Sequence, residues 1–376
     1  MIYCAVVRFT LQSKRQEGDT VETMEENHAG CCRRDRGGLL AYVGYVFAAY
    51  DRLEDCIELT VEQNAAQQAE AGVPYTLVSY NVGFGAYSAD YSFFMDGGTE
   101  SRAYSAQAVR DNISGAMEEV KSLHADFVFL QEVDQDATRS HHVDETQLVR
   151  EALDGLSSSF AQNYDSPYLF WPILEPHGAS KSGVLTFSGC KVDRVVRRSL
   201  PIATGPSKLI DLDRCYSVST LPVSNGRTLR LYNVHLSAYL TDGEVAVQQM
   251  NMLLEDMYSA YAAGDYVVCG GDFNKDLLGD SAAVFGVSGN GENWAGPFPE
   301  EMLPEGITLA APLEESAPVP SCRNADAPYD PEKSFVLTVD GFLVSDNVEV
   351  RRAWTVDTGF AWSDHNPVAL TFVLIP

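Results

Sequence analysis

The stretch from Tyr266 to Asp276, YVVCGGDFNKD, constrains this chain most. Tyr, two Val and Cys read as a buried strand, and two glycines then turn the backbone so that Asp272 and Asn274 project from its end. Such a turn presents polar groups on a rigid edge. An Asp and an Asn two apart can hold a metal, a water or a phosphate oxygen, yet ordinary turns favour the same residue types. What decides between these readings is whether other strands end in the same way.

They do. TLVSYN (76–81) ends at Asn81, and ADFVFLQEVD (125–134) carries Glu132 at its C-terminal edge, where a carboxylate suits a hard cation. His235 ends the strand in LYNVHLSAY, Asp340 sits in the middle of SFVLTVDGFLVSD, and Asp364 and His365 directly precede the terminal strand in WSDHNPVALTF. Taken alone, Glu132 reads as a solvated acid and His235 as a structural imidazole. Several polar strand ends in one chain point instead to a shared site.

Further strands are expected at 192–197, 215–222 and 229–235, the last two joined by an Asn225-Gly226 hairpin turn. Helices are expected through 110–123, near 145–160 and over 244–262, with loops from 286 to 331. Long loops in a compact domain tend to be functional, and the one after Asn81 is rich in aromatics and glycines. DATRSHHVDE offers Arg139, His141 and His142 as phosphate contacts, although adjacent histidines do not readily face one site. Lys181 opens a strand, where a solvated turn is the plainer reading.

The 53 acidic and 26 basic residues give a net charge of −27, which argues against a sequence-independent grip on a polyanion such as duplex DNA. A local basic pocket for one phosphate remains compatible with it. With 45% hydrophobic and 21% charged residues, the chain has the composition of a globular protein with a sizeable core. The eight cysteines form no C-x-x-C pair, so free thiols are expected rather than a disulfide framework or a zinc site.

Residues 1–37 are polar and patchily basic, and little stable structure is expected there. Residues 39–50, LLAYVGYVFAAY, are uncharged and follow Arg33, Arg34 and Arg36. As a helix they would span roughly 18 Å, short of the ~30 Å hydrocarbon core. A short membrane anchor, a signal-type apolar region and a packing helix all fit the segment 38–50. The arginines favour a membrane-associated protein with its main domain outside the cytoplasm over a cytoplasmic one. Residues 51–74 read as a polar, partly helical connector, and the folded domain as 75–376.

Asn81, QEVD at Glu132, NVHL at His235, GGDFN at Asp272 and Asn274, the Asp340 strand and SDHNPV at Asp364 and His365 occur in one order. This order resembles the endonuclease/exonuclease/phosphatase superfamily of metal-dependent phosphoesterases, from about Tyr75 to Leu374. More narrowly, YNVGFGAYSADYSFFMDGGTESRA resembles bacterial members of unassigned substrate that often carry a membrane segment ahead of the catalytic domain. The resemblance implies a four-layer α/β sandwich like that of deoxyribonuclease I: two packed, mostly antiparallel sheets flanked by helices, with the site at one edge.

It also implies roles. Glu132 would be the main ligand of a Mg²⁺ or Mn²⁺ ion, with Asn81 beside it and Asp364 in metal binding or its hydrogen-bond network. His365 with Asp340 would form an acid/base pair. Asp272 would orient or deprotonate the attacking water, Asn274 would hold a phosphate oxygen, and His235 would stabilise or protonate developing charge. Arg214 is a further phosphate-contact candidate. Some members carry an acidic ligand two residues after the first Asn, where this chain has Gly83.

The expected activity is metal-dependent phosphoester hydrolysis, with a small phosphorylated molecule or lipid head group favoured as substrate over nucleic acid. A nuclease is the alternative within this class. Outside it stand a catalytically silent binding domain and a membrane-tethered receptor that uses the aromatic loop from Phe84 to Phe94 as its contact surface.

Overall fold

The computed structural model describes residues 38, 41–50, 52–205, 208, 212–237, 243–286, 294–314 and 316–376. Residues 1–37, and with them Cys4, Cys31 and Cys32, lie outside the described residues, as do Leu39 and Leu40.

Among the described residues, fifteen strands form two large sheets and one small one. Strands β1 (Ile57–Leu59), β2 (Pro74–Asn81), β3 (Phe127–Ala137), β4 (Ser157–Asp165), β5 (Ser180–Ser188), β6 (Arg194–Ser199), β7 (Cys215–Pro222), β8 (Thr228–His235) and β9 (Tyr266–Asp272) come first. They are followed by β10 (Ile307–Ala310), β11 (Cys322–Arg323), β12 (Val336–Leu337), β13 (Asp340–Ser345), β14 (Val348–Thr355) and β15 (Val368–Leu374). One sheet runs β1-β6-β7-β8-β9-β13-β10, the other β14-β15-β2-β3-β5-β4, and β11 pairs with β12 alone.

Helix α1 covers residues 41–49, α2 Ala106–Ser122, α3 Glu145–Ala152, α4 Gly243–Ala262 and α5 Ser281–Phe285. Ser105 and Asp144 cap α2 and α3 by accepting from Ala108 N and Gln147 N, which satisfies backbone donors left open at a helix start.

The layers follow from which side chains each sheet buries. Leu77, Phe127 and Phe129 of one sheet meet Leu231, Val268 and Phe342 of the other in a shared core. On the outer faces, Val109, Ile113 and Met117 of α2 pack on one sheet, and Leu253 and Met257 of α4 on the other. This is the four-layer sandwich the sequence led us to expect.

Only two neighbouring strand pairs in the large sheets are parallel, β2 with β3 and β8 with β9. Parallel neighbours need a crossover, and α2 and α4 supply it. Both pairs therefore send their C-terminal ends to one edge, with Asn81 level with Gln131 and His235 level with Asp272. Strand β13 runs antiparallel to β9 and begins at Asp340, level with Asp272.

Several expectations need correction. Residues 57–59 are not connector but an edge strand on β6, and Ala69 is fully buried against Val223, so the folded unit starts well before residue 75. No helix is described in 52–74. The helix expected near 145–160 stops at Ala152, where Gly155 turns at φ 96°, and Ser157 onward is strand β4. Asp340 does not lie mid-strand: SFVLTVDGFLVSD divides into β12 and β13, in different sheets, with Asp340 the first residue of β13. The stretch 286–331, expected as loops, contributes β10 and β11. The aromatic loop is no contact surface, because Phe84, Tyr87, Tyr91 and Phe93 are buried under α2 and its surroundings.

Candidate active site

Two backbone irregularities aim the central carboxylates. Gly271 has φ 145°, and a Cβ there would lie 2.0 Å from Val234 O, so only glycine brings β9 this close to β8 before Asp272. Glu132 has φ 56° at a register shift between Leu130 and Val133. A non-glycine residue held in that region costs about 1–3 kcal/mol and persists only where its surroundings enforce it. Val82 N to Gln131 O before the bulge, and Asp134 N to Glu145 Oε2 after it, provide that enforcement.

The best-bonded group is Asp340, His365 and Asp272. His365 Nδ1 is 2.7 Å from Asp340 Oδ2, which also accepts from Ser321 Oγ at 2.7 Å. His365 Nε2 lies 3.9 Å from Asp272 Oδ2. Asp272 in turn accepts from Asn274 N at 2.9 Å and from Asn81 Nδ2 at 3.1 Å. All three side chains are buried. Burial disfavours a charged imidazole, but the facing Asp340 carboxylate outweighs it and holds His365 well above its usual range. Burial, and then the Asp340 charge, hold the Asp272 carboxyl above the ordinary carboxylate range.

His235 approaches Asp272 Oδ2 at 3.6 Å and Glu132 Oε1 at 4.0 Å through Nε2. Burial, followed by the charges of Arg214, His365 and Arg139, pushes its pKa well below the usual value. It is therefore a neutral hydrogen-bonding group at neutral pH. Its buried Nδ1 has no hydrogen-bond partner among the described residues. Asn274, at φ 50°, donates through Nδ2 to Leu236 O, which fixes its amide at the site.

Glu132 and Asp364 form the second group, and it is built differently. Glu132 is partly exposed, and Asn81 Nδ2 donates to its Oε1 at 3.3 Å. Among the described residues the Asp364 side chain accepts a 3.3 Å bond from Ser363 Oγ, and burial raises its carboxyl against the opposing charges of His365 and Arg323, with Glu132 adding a smaller push upward. Among the described residues no Lys or Arg makes a direct ion pair with either acid. Asp96, which sequence reasoning missed, is exposed, and its carboxyl is raised by the protein around it and by the nearby charges of Asp364, Glu132 and Asp326.

Carboxylate oxygens with few hydrogen bonds fit a hard divalent cation. The tightest set of ligating atoms among the described residues is a different one, Asp272, Asp340 and His365, all within 4.8 Å. Hydrogen bonds occupy both Asp272 oxygens and Asp340 Oδ2 but not the buried Asp340 Oδ1, so Glu132 and Asp364, with fewer bonds, are candidates to hold Mg²⁺ or Mn²⁺ beside that group. Asn81 stands beside Glu132: its Oδ1 accepts from Gly83 N, which leaves one acceptor site of that oxygen, and its Nδ2 ties Glu132 to Asp272. Gly83, at φ 52°, explains the missing acid at its position. A Cβ there would lie 2.8 Å from Tyr87 and 3.1 Å from Asp364 Oδ1.

The expected basic contacts are placed elsewhere. Arg139 is buried, forms a two-pronged bond with Asp134 at 2.9 and 3.1 Å, and stacks 3.9 Å over Phe84. It is a structural cation rather than a phosphate contact. His142 is exposed and bonds Asp136 at 2.6 Å, while His141 bonds Ala103 O. Lys181 pairs across the sheet with Asp136, away from the bulge at Glu132. Arg214 donates to Leu236 O at 2.9 Å and to His235 O at 3.4 Å, so it holds the His235 turn.

One thiol stands at the site: Cys322 Sγ lies 3.6 Å from His365 Nε2. Burial pushes this thiol up to about 12, so it is neutral. Nothing in the local sequence marks Cys322 or Ser321, because β11 brings them in from 43 and 19 residues away from their partners. Cys56, Cys190, Cys215, Cys269 and Cys322 are free, as anticipated.

Similar architecture occurs in solved proteins. ANGEL2, a 2',3'-cyclic phosphatase in complex with adenosine-2',3'-vanadate, superposes with a TM-score of 0.53 at 16% identity, covering 85% of this chain and 99% of that one. An endonuclease/exonuclease/phosphatase from Beutenbergia cavernae gives 0.51 at 16% identity over 80% and 72% of the two chains. Truncated Caenorhabditis elegans TDP2 gives 0.50 at 13% identity over 81% and 99%. No curated protein matches the chain. The model of the Endonuclease/Exonuclease/phosphatase family matches residues 78–365, from the strand that ends at Asn81 through His365, and the chain belongs to that family.

Proposed function

We propose that the chain hydrolyses phosphoester bonds with the aid of a divalent cation, acting on a small phosphorylated molecule or a lipid head group. The observation that carries this reading is the buried Asp340–His365 pair at 2.7 Å, set against Asp272 on the neighbouring strand. A domain that only binds has no need of an imidazole held protonated beside a carboxyl held above its usual range.

In this reading Asp272 takes the proton of the attacking water, poised for it by its raised pKa. His365, protonated and oriented by Asp340, donates to a non-bridging or leaving oxygen. Neutral His235 donates a hydrogen bond from Nε2, and Asn274 offers its remaining amide N–H. Glu132 and Asp364 would hold the Mg²⁺ or Mn²⁺ ion, which offsets phosphoryl charge.

The −27 net charge supports a small or lipid-borne substrate over a polymeric one. Arg33, Arg34 and Arg36 ahead of the apolar run support placement at a membrane surface. The test is a panel of DNA, RNA, nucleotides, phosphoinositides and sphingomyelin, each with Mg²⁺, Mn²⁺ or chelator. Metal-dependent turnover of a head group or nucleotide supports the reading, turnover of DNA or RNA alone replaces its substrate, and inactivity on all of them overturns it.

A further inference from the structure

Helix α1 has no charged or strongly polar side chain along residues 41–49, yet of its residues only Val46 is buried. Phe47 is 62% exposed, and Val43 and Tyr45 face solvent as well. A helix that is apolar all round ordinarily lies within a core or in lipid. Among the described residues no helix is long and apolar enough to cross a membrane.

A second exposed apolar element packs against it. Tyr42 Oη donates to Tyr168 O at 3.2 Å, Tyr168 N donates to Tyr45 Oη at 3.0 Å, and the Tyr42 and Phe170 rings meet edge to face at 5.2 Å. Beyond Phe170 the loop continues Trp171, Pro172, Ile173, Leu174, with Trp171 half exposed, Ile173 69% and Leu174 99% exposed. Most large exposed hydrophobic side chains of the described residues fall in these two elements. Scattered apolar exposure needs no explanation, but a concentration of it marks an interaction surface.

The same loop is tied to the catalytic edge. Ser101 Oγ donates to Glu175 O, Arg102 Nε donates to Pro176 O, and buried His177 bonds Ser101 O. The His177 ring packs on Phe84, which carries Arg139 and adjoins Gly83.

We infer that α1 and the loop at 170–174 form one docking surface for the interface of a lipid bilayer, lying on the surface rather than spanning it. The chemistry fits that occupant: Trp and Tyr with aliphatic tips, no charge between Phe170 and Leu174, and three arginines just ahead of α1 in sequence to meet lipid phosphates. The inference deepens the lipid-head-group reading and rests on it for its purpose, but its test does not depend on activity.

The full chain is floated with phosphatidylcholine vesicles, with and without phosphatidylserine, beside the triple variant Trp171→Ser, Ile173→Ser, Leu174→Ser and the single Leu174→Ser. The single variant guards against misfolding, because its side chain is already in solvent. Wild type should co-float, best with phosphatidylserine. The triple variant should lose at least about tenfold in partitioning and the single variant a smaller share, since burying each such side chain favours binding severalfold or more.

Wild type left unbound by both vesicles, or a triple variant that binds as wild type does, would overturn the surface. So would a wild-type dimer in lipid-free sedimentation that the triple variant abolishes, because the occupant would then be a second copy. Hydrolysis of a soluble aryl phosphodiester should be equal in wild type and variants. If neither hydrolyses any phosphoester while wild type still floats, the proposed function fails and the docking surface stands.

Discussion

The two halves of the candidate site are finished to different degrees. Around β9 and β13, Asp272, Asp340 and His365 are buried and bonded to one another and to Asn81, Asn274 and Ser321. Around the ends of β2 and β3, Glu132 and Asp364 have few hydrogen bonds and no direct cation partner among the described residues. The first half is the better bonded, since a buried carboxylate is tolerable when paired, although Asp340 Oδ1 is buried without a hydrogen-bond partner among the described residues. In the proposed reading the second half holds the cation. A division of labour would follow, with proton handling on one side and charge neutralisation on the other.

The largest effect should come from breaking the first half. His365→Ala should lower kcat/KM by about 10²-fold or more, and Asp340→Asn should approach that loss because it leaves the imidazole without its orienting partner. The double variant should be scarcely worse than His365→Ala alone, as residues acting as a unit are non-additive. Losses that multiply in kcat/KM, with folding checked by circular dichroism, would dissolve the pair.

The pH profile sharpens the same half. Activity in this account needs Asp272 deprotonated and His365 protonated, and both groups are held above their ordinary values. The acid limb should therefore lie above the usual carboxylate value of ~4, and the alkaline limb above the usual histidine value of ~6.5. The Asp340 charge raises both groups, so Asp340→Asn should move both limbs of its residual activity to lower pH. Limbs that stay in place would show that Asp340 sets neither group.

A smaller effect is expected at the boundary between the halves. Gly83→Asp places an acid where some relatives carry a ligand, but the side chain meets Tyr87 and Asp364 at a backbone with φ 52°. It should cost about 1–3 kcal/mol in urea unfolding and bring no gain in Mg²⁺ affinity by calorimetry. Tighter metal binding would show that the pocket accommodates a third acid.

Much of this arrangement is legible in the sequence because it depends on local pattern. Strand β7 keeps the ends expected for it, and β9 is marked by its apolar run and Gly-Gly turn. Ser157–Asp165 was misread because three serines and a nearby helix gave no clean alternation, though the sheet buries them. Residues 57–59 look like connector because an edge strand three residues long carries almost no periodicity.

At the site, Asn81, His235 and Asp272 announce themselves at strand ends and His365 just ahead of the terminal strand, whereas Asp340 reads as mid-strand although it begins β13, and Glu132 reads as a strand end although β3 runs on to Ala137. The bulge that turns Glu132, the Asn81 bridge, and the arrival of Ser321 and Cys322 do not announce themselves. Those depend on pairings between strands far apart in sequence. Arg139 and Arg214 were read as phosphate contacts because sequence shows a cation but not the Asp134 carboxylate or the Leu236 carbonyl that engages it.

The division of labour is tested most directly by titrating Mg²⁺ into Glu132→Gln and Asp340→Asn and following both binding by calorimetry and kcat on the best substrate of the panel. The account predicts that Glu132→Gln weakens metal binding and shifts the Mg²⁺ midpoint of activity upward, because a neutral amide is a poorer ligand for a hard cation. It predicts that Asp340→Asn lowers kcat at saturating metal and leaves the midpoint where it was. A midpoint that moves with Asp340→Asn and stays put with Glu132→Gln would place the cation among Asp272, Asp340 and His365 and contradict the account.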